Sequence, residues 1–239
     1  MTKRTRAVAA CDNAFLFKTM AREVAAELGL LLTFLPKPIP DRGGSGLHIN
    51  FSFEDKSGAN VIVPGGVLSD VARGCMAGLI HHHAGLAGLL ATTVNSHDRL
   101  GPVSMAGYRT NWANGHRMVT TRSTVSSAKP ARFEHRKADC ATNPCLAVTA
   151  VLQAALLGVQ NGCDLAASEY LDGLENVRAT RHAPPSLARA PDALDADKPL
   201  RMAVGEEPCD ALIFRKKDEW KRLKDKSVDE VRDYYLPFV

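Results

Sequence analysis

The sequence predicts a chain of mixed helices and strands, and three local patterns predict it. Leu16, Met20, Val24 and Leu28 recur at every fourth position, the spacing of one helix face, with Asp12 placed to cap the start and Gly29 to stop the end. Leu47, Ile49, Phe51 and Phe53 alternate with His48, Asn50 and Ser52, the period of a strand with one apolar and one polar face. Val67 to Leu90 then reads as a long apolar helix.

The other elements follow in order. Leu30 to Phe34 is a short apolar run ending at Pro36-Lys37-Pro38, which predicts a buried strand. Pro40 to Gly46 is a glycine-rich loop. Thr92 to Arg109 is mostly loop, and Gly107 and Asn114-Gly115 mark turns around Trp112. Arg117 to Arg122 predicts a strand, and a second carries Arg132, Phe133, Glu134 and Arg136. Asn143-Pro144 is an N-cap followed by proline at the first helical position, opening a buried helix that ends near Asn161-Gly162. From Cys163 to Leu200 four prolines break the chain into a meander, and Asp210 to Lys224 is a charged amphipathic helix with Leu212 and Trp220 among its apolar positions.

Composition bounds the function. The 239 residues are 45% hydrophobic and 23% charged, which suits a buried core and argues against disorder. No apolar run approaches the roughly 18 residues of a membrane helix, so no membrane partner is expected. Net charge is +4 with 6% aromatics, and the cations mostly alternate with acids, so a nucleic-acid surface is not expected either. No pair among the six cysteines has CxxC spacing, and reduced thiols in a cytoplasmic protein are expected. Met1 to Arg6 is basic without a following apolar segment, which reads as a frayed end rather than a targeting signal.

Two clusters carry chemistry. A half-exposed edge strand commonly places Lys, Glu or Thr on its wet side; His48, Asn50 and Ser52 after a glycine loop suit a ligand site better. Arg117, Arg122, Lys129, Arg132 and Arg136 lie within twenty residues and share Glu134 as their acid. Such a strand could be merely solvated, but guanidinium forks bind the paired oxygens of phosphates and carboxylates. His81-His82-His83 does not make a metal cluster, because adjacent helical side chains point about 100° apart.

Five stretches in register resemble one family. They are Thr33-Phe34-Leu35-Pro36-Lys37-Pro38; Gly44-Ser45-Gly46-Leu47-His48; Asn95-Ser96-His97-Asp98-Arg99-Leu100; Lys129 with Arg132, Glu134 and Arg136; and Asn143-Pro144. Together they resemble the catalytic domain of glutamine synthetases over about residues 10 to 165. Asp233-Tyr234-Tyr235-Leu236-Pro237-Phe238 looks like the glutamate–amine ligase branch. The resemblance implies an α+β fold of the glutamine synthetase/guanido kinase-like kind, an antiparallel sheet flanked by helices. It implies a partial catalytic domain over residues 1–239, with a C-terminal helical meander over 166–239.

The implied reaction joins glutamate to ammonia or a small amine through γ-glutamyl phosphate, consuming ATP with Mg²⁺ or Mn²⁺. By resemblance, His48 and Glu134 are metal ligands. Gly44, Arg99 and Arg136 hold glutamate. Asn50, Ser52, Arg117, Arg122, Lys129 and Arg132 face the nucleotide and its phosphates. Three departures stand out. Gly43 replaces an asparagine and Asn50 a histidine. Met105 stands where the mobile flap carries a glutamate, and a thioether cannot accept the amine proton.

The family's N-terminal β-grasp domain, an E-x-E strand and two further glutamates have no counterpart in these residues. The resemblance therefore implies N-terminal truncation, an open sheet edge prone to pairing, and a homo-oligomer or pairing with a full-length relative. An alternative reading is a catalytically incompetent remnant that binds nucleotide or anions.

Overall fold

The computed structural model describes residues 5–101, 104, 107–125, 131–165, 179 and 181–239. It is α+β: a small sheet carries one wet face and packs its other face on helices.

The first helix, α1 (Ala7–Glu27), starts well before Asp12, with Arg6 rather than Asp12 at the cap. Gly29 ends it at φ 70°, a backbone conformation open to glycine. Leu30 to Phe34 is not the predicted strand. A strand exists by pairing, and among the described residues this segment has no sheet partner; Leu30 N–H instead bonds Ala25 O at 2.8 Å.

The predicted strand over 47–53 is real but short, β1 (Ile49–Phe51). The long helix over 67–90 is broken at His82 into α2 (Asp70–His81) and α3 (His83–Leu90). Ser69 caps α2 by accepting from Ala72 N–H. His82 at the break is buried, and its Nδ1 lies 2.9 Å from Asp197.

Inside the predicted loop lies one short helix, α4 (Val94–Arg99), closed by a capping box of Thr93 and Ser96. Next come β2 (Trp112–Asn114), β3 (Thr121–Thr124) and β4 (Arg132–His135). β3 thus begins four residues beyond the predicted Arg117, which lies in the link before it. Asn143 caps α5 (Pro144–Gln160) as predicted, accepting from Cys145 and Leu146 N–H. The C-terminal part is α6 (Ala190–Ala196), α7 (Lys198–Val204), α8 (Glu206–Leu223) and α9 (Val228–Tyr235). Pro191 and Pro199 open α6 and α7, where a missing N–H costs nothing, and α8 begins before the predicted Asp210. All six cysteines are free thiols.

The sheet order is β1-β4-β3-β2. It is not wholly antiparallel: β2 and β3 run parallel, joined only by residues 115–120. That link is shorter than the dozen or so residues a parallel connection usually takes. β1 stands at one end of the sheet.

The core lies between the sheet's dry face and α2, α3 and α5, around Ile49, Met76, Leu79, Phe133 and Val151. α2 and α5 approach closely because both present glycine. A Cβ at Gly158 would lie 2.2 Å from Gly74 O, and one at Gly78 would lie 2.1 Å from Ala154 O. Backbone cannot yield as a side chain does. Gly158→Ala is therefore expected to cost about 3 kcal/mol in urea unfolding, the upper end of ordinary overpacking.

Candidate functional site

The wet face of the sheet is built by alternation and register. Along β4, Arg132 and Glu134 point one way, Phe133 and His135 the other. Phe133 is fully buried, so the second set faces the core. Pairing sets Asn50 and Arg122 opposite Glu134, and opposed residues share a face. His48 lies two residues before Asn50 and falls on the same side.

Glu134 is the hub. Its Oε1 lies 3.0 Å from His48 Nδ1 and accepts from Arg136 Nη1 at 2.6 Å; its Oε2 accepts from Arg122 Nη1 at 2.8 Å. The hydrogen bond from His48, then the charges of Arg136 and Arg122, hold the carboxyl at about 2, against burial. It stays ionised at every physiological pH. Arg136 also approaches His48 Nδ1 at 3.2 Å. The exposed Arg117, in the link before β3, opposes the Arg136 charge as Arg122 does. Arg132 Nε donates to Asn50 Oδ1 at 3.2 Å on the outer part of the same face. Ser52 follows β1, half-buried. Lys129 and Met105 lie outside the described residues.

A second group stands beside this one. Arg99, at the end of α4, donates through Nη1 to Lys137 O at 2.9 Å and through Nη2 to Arg136 O at 3.4 Å. It therefore grips the main chain that carries Arg136. The glycine loop lies against it. A Cβ at Gly44 would come within 2.6 Å of Pro36 O and 3.2 Å of Arg99 Cγ. Only a bare backbone fits there, which puts Gly44 and both arginines in one neighbourhood.

Sequence reasoning missed the groups behind this face. Asp139 is fully buried and accepts from Ala141 N–H at 3.0 Å. Burial pushes its carboxyl up to about 6, while Ser96 and Arg99 pull it down. Lys137 is fully buried, its Nζ donates to His83 O, and burial drives its pKa well down. In the sequence both look like ordinary surface charges, and no local periodicity marks them as buried.

The arrangement can bind oxyanions. Arg122, Arg136 and Arg117 bring three guanidinium groups to one end of the sheet, against one carboxylate. His48 and Glu134 bring an imidazole nitrogen and a carboxylate together, two donors of the kind a divalent cation takes. Among the described residues no group of three or more His, Cys, Asp or Glu gathers. The pair therefore fits one corner of a divalent site. Mg²⁺ commonly takes few protein ligands and completes its shell with water and phosphate oxygens.

Comparison with known proteins places these residues in context. The family model for the glutamine synthetase catalytic domain matches residues 1–235. A glutamine synthetase of Halobacterium salinarum is 31% identical over 239 residues, covering 96% of this chain and 53% of that protein. The glutamate–methylamine ligase of Methyloversatilis universalis is 34% identical over 250 residues, covering 98% of this chain and 55% of that protein. Two solved structures, described as apo GmaS without ligand and as a GmaS/ADP complex, superpose with TM-scores of 0.82 and 0.83 at 30% and 29% identity. They cover 97% and 98% of this chain, which in turn spans 54% and 55% of theirs. The chain thus spans about half the length of the relatives it matches.

Proposed function

Because the chain belongs to the glutamine synthetase family, as part of its catalytic domain, we propose that it provides the glutamate- and phosphate-facing side of an ATP-dependent glutamate–amine ligase site. The product would be a γ-glutamyl amide, formed from glutamate and ammonia or a small amine by way of γ-glutamyl phosphate. The observation that carries this reading is the Glu134 hub, where one ionised carboxylate is held among His48, Arg122 and Arg136 on an open sheet face.

Each residue then has a task. Arg122 and Arg117 face the transferring phosphoryl group and oppose the charge that develops on it. Arg136 and Arg99 orient the glutamate carboxylates, with Gly44 allowing the substrate to approach the backbone. Asn50, Ser52 and Arg132 line the nucleotide side. His48 and Glu134 would hold Mg²⁺ or Mn²⁺, which when bound neutralises phosphate oxygens. Glu134 also fixes the two arginines, so the site is ordered before substrate arrives.

The second reading is a catalytically incompetent relative that binds nucleotide or anions, or associates with a full-length relative. One observation favours it: His48 and Glu134 are a pair, with no larger ligand group among the described residues.

Phosphate release from ATP separates the two. The purified chain is assayed with Mg²⁺ or Mn²⁺, glutamate, and amines from ammonia through methylamine to polyamines. The ligase reading expects release that requires both glutamate and one amine, and loses about 100-fold or more in His48→Ala. No release across the panel, with His48→Ala and Glu134→Ala matching the parent, leaves the second reading.

A further inference from the structure

Two thiols from distant parts of the chain meet where α1 packs on the start of α5. Cys11 is the buried residue of α1, 6% exposed. Its Sγ donates to Pro144 O at 3.7 Å, and the next residue is Cys145, in the first turn of α5. Burial raises the Cys11 thiol above its ordinary value, and the adjacent Cys145 thiol raises it further through charge and a hydrogen bond. Cys145 itself is exposed. Cys75 and Cys209 are buried as Cys11 is, but the groups acting on them include no second thiol.

Both thiols are held in place before they react. Lys18 Nζ donates to Cys140 O at 2.6 Å, and Arg22 Nη2 donates to Pro237 O at 3.0 Å. Cys11, Lys18 and Arg22 recur at spacings of seven and four, one helix face. These bonds fix the rotation of α1 about its axis, so Cys11 is aimed at α5. On the other side, Asn143 Oδ1 accepts from Cys145 N–H at 2.9 Å, which fixes the first turn of α5.

We propose that Cys11 and Cys145 form a reversible dithiol–disulfide site whose oxidant is a small disulfide of the glutathione kind. An exposed thiol beside a buried one is the arrangement of an attacking and a resolving cysteine. Cys145 reacts first, because Cys11 is covered and held protonated. The Cys145 thiolate attacks one sulfur of the small disulfide, the S–S bond breaks, and one half leaves as a thiolate. Cys11 then gives up its proton and attacks the Cys145 sulfur of the mixed disulfide, and the second half leaves. The two departing thiolates take up the two protons that the cysteines released. The protein is oxidised by two electrons, and the small disulfide is reduced to two thiols. An excess of small thiol runs the sequence backwards. Pro144 lies 133 positions beyond Cys11, so the bond closes a long loop and ties α1 to α5. Neither cysteine is among the residues assigned to the ligase site, and the proposal does not depend on that reading.

The test incubates the 239-residue chain with oxidised glutathione, beside a sample kept in reduced glutathione. Both are quenched with acid and mapped by mass spectrometry without reduction. The expected product is a peptide pair linked through Cys11 and Cys145 within one chain, with two fewer thiols titrating after denaturation. Its melting temperature should rise by roughly 5–10 °C and return with dithiothreitol. Cys145→Ser, at an exposed position, is expected to keep the reduced parent's melting curve and to lose both the link and the rise. Cys11→Ala leaves Cys145 without its resolving partner, so that variant should retain one glutathione. The parent's time course gives the same information without a variant: the adduct on Cys145 appears first and the linked pair replaces it. A lasting glutathione adduct on Cys145 of the parent, with Cys11 still reduced, overturns the proposal. So does a link through any other cysteine or between two chains, or a chain that stays reduced throughout.

Discussion

Glu134→Gln is expected to lower stability by about 3 kcal/mol and to abolish metal-dependent nucleotide binding. The substitution keeps the shape of the side chain and removes its charge. Arg122 and Arg136, whose side chains are only 16% and 8% exposed, then face each other without their shared counter-ion. Removing one partner of a buried ion pair typically costs about 3–5 kcal/mol, and this group is partly open to solvent, which places it at the lower end. For a chain of this size the melting temperature should fall by roughly 6–12 °C. Inorganic phosphate or sulfate should restore much of that loss, because two freed guanidinium groups form an anion site. Thermal melts of parent and variant, with and without 20 to 50 mM or so of sulfate, check this, with chloride at matched ionic strength as the control for screening.

Acidification is the second large effect. Burial holds His97 at about 4, and holds fully buried His83 well below its ordinary value, with Lys137 adding repulsion. Both imidazoles stay neutral in the folded protein but take up protons near pH 6.5 once unfolded. The unfolded state therefore binds more protons, and stability falls as pH drops from 6.5 towards 4. For His97 the loss reaches about 2 kcal/mol by pH 5, at 1.36 kcal/mol per unit. Asp139 acts in the opposite sense. Its carboxyl is raised to about 6, so protonation relieves a buried charge and returns stability between pH 6 and its ordinary value. The histidines outweigh it because fully buried His135, which burial holds at about 3, adds to these two, and their window opens first. Urea titrations at pH 7, 6 and 5 should show a steady fall. His97→Asn keeps a donor near Pro184 O, and His83→Gln keeps one near Tyr108 O; each should flatten the slope.

The site face was legible in the sequence because its geometry is local and periodic. Alternation of two places His48 with Asn50 and Arg132 with Glu134, and the motif order brings the two strands into register. The caps at Asn143 and Gly29 were legible for the same reason. What was not legible depends on partners far away in the chain. Periodicity finds the stripe on α1 but cannot say which side faces the body; that was decided by Lys18 and Arg22 reaching backbone carbonyls more than 100 residues away. Leu30 to Phe34 has strand composition, yet pairing is a property of two segments, and no strand among the described residues pairs with it. The parallel β2–β3 pair breaks the usual rule on connection length. Asp139 and Lys137 are charged residues in the core, which sequence patterns assign to the surface.

The central claim is that His48, Glu134 and the arginines around them form a site for metal-bound phosphate. Calorimetric titration of ATP into the chain, with and without Mn²⁺, tests it most directly. The account predicts that Mn²⁺ strengthens ATP binding by about tenfold or more, and that His48→Ala and Glu134→Gln each remove that gain while leaving weak, salt-sensitive binding to the arginines. ATP affinity that is the same with and without Mn²⁺, and the same in all three proteins, would contradict it.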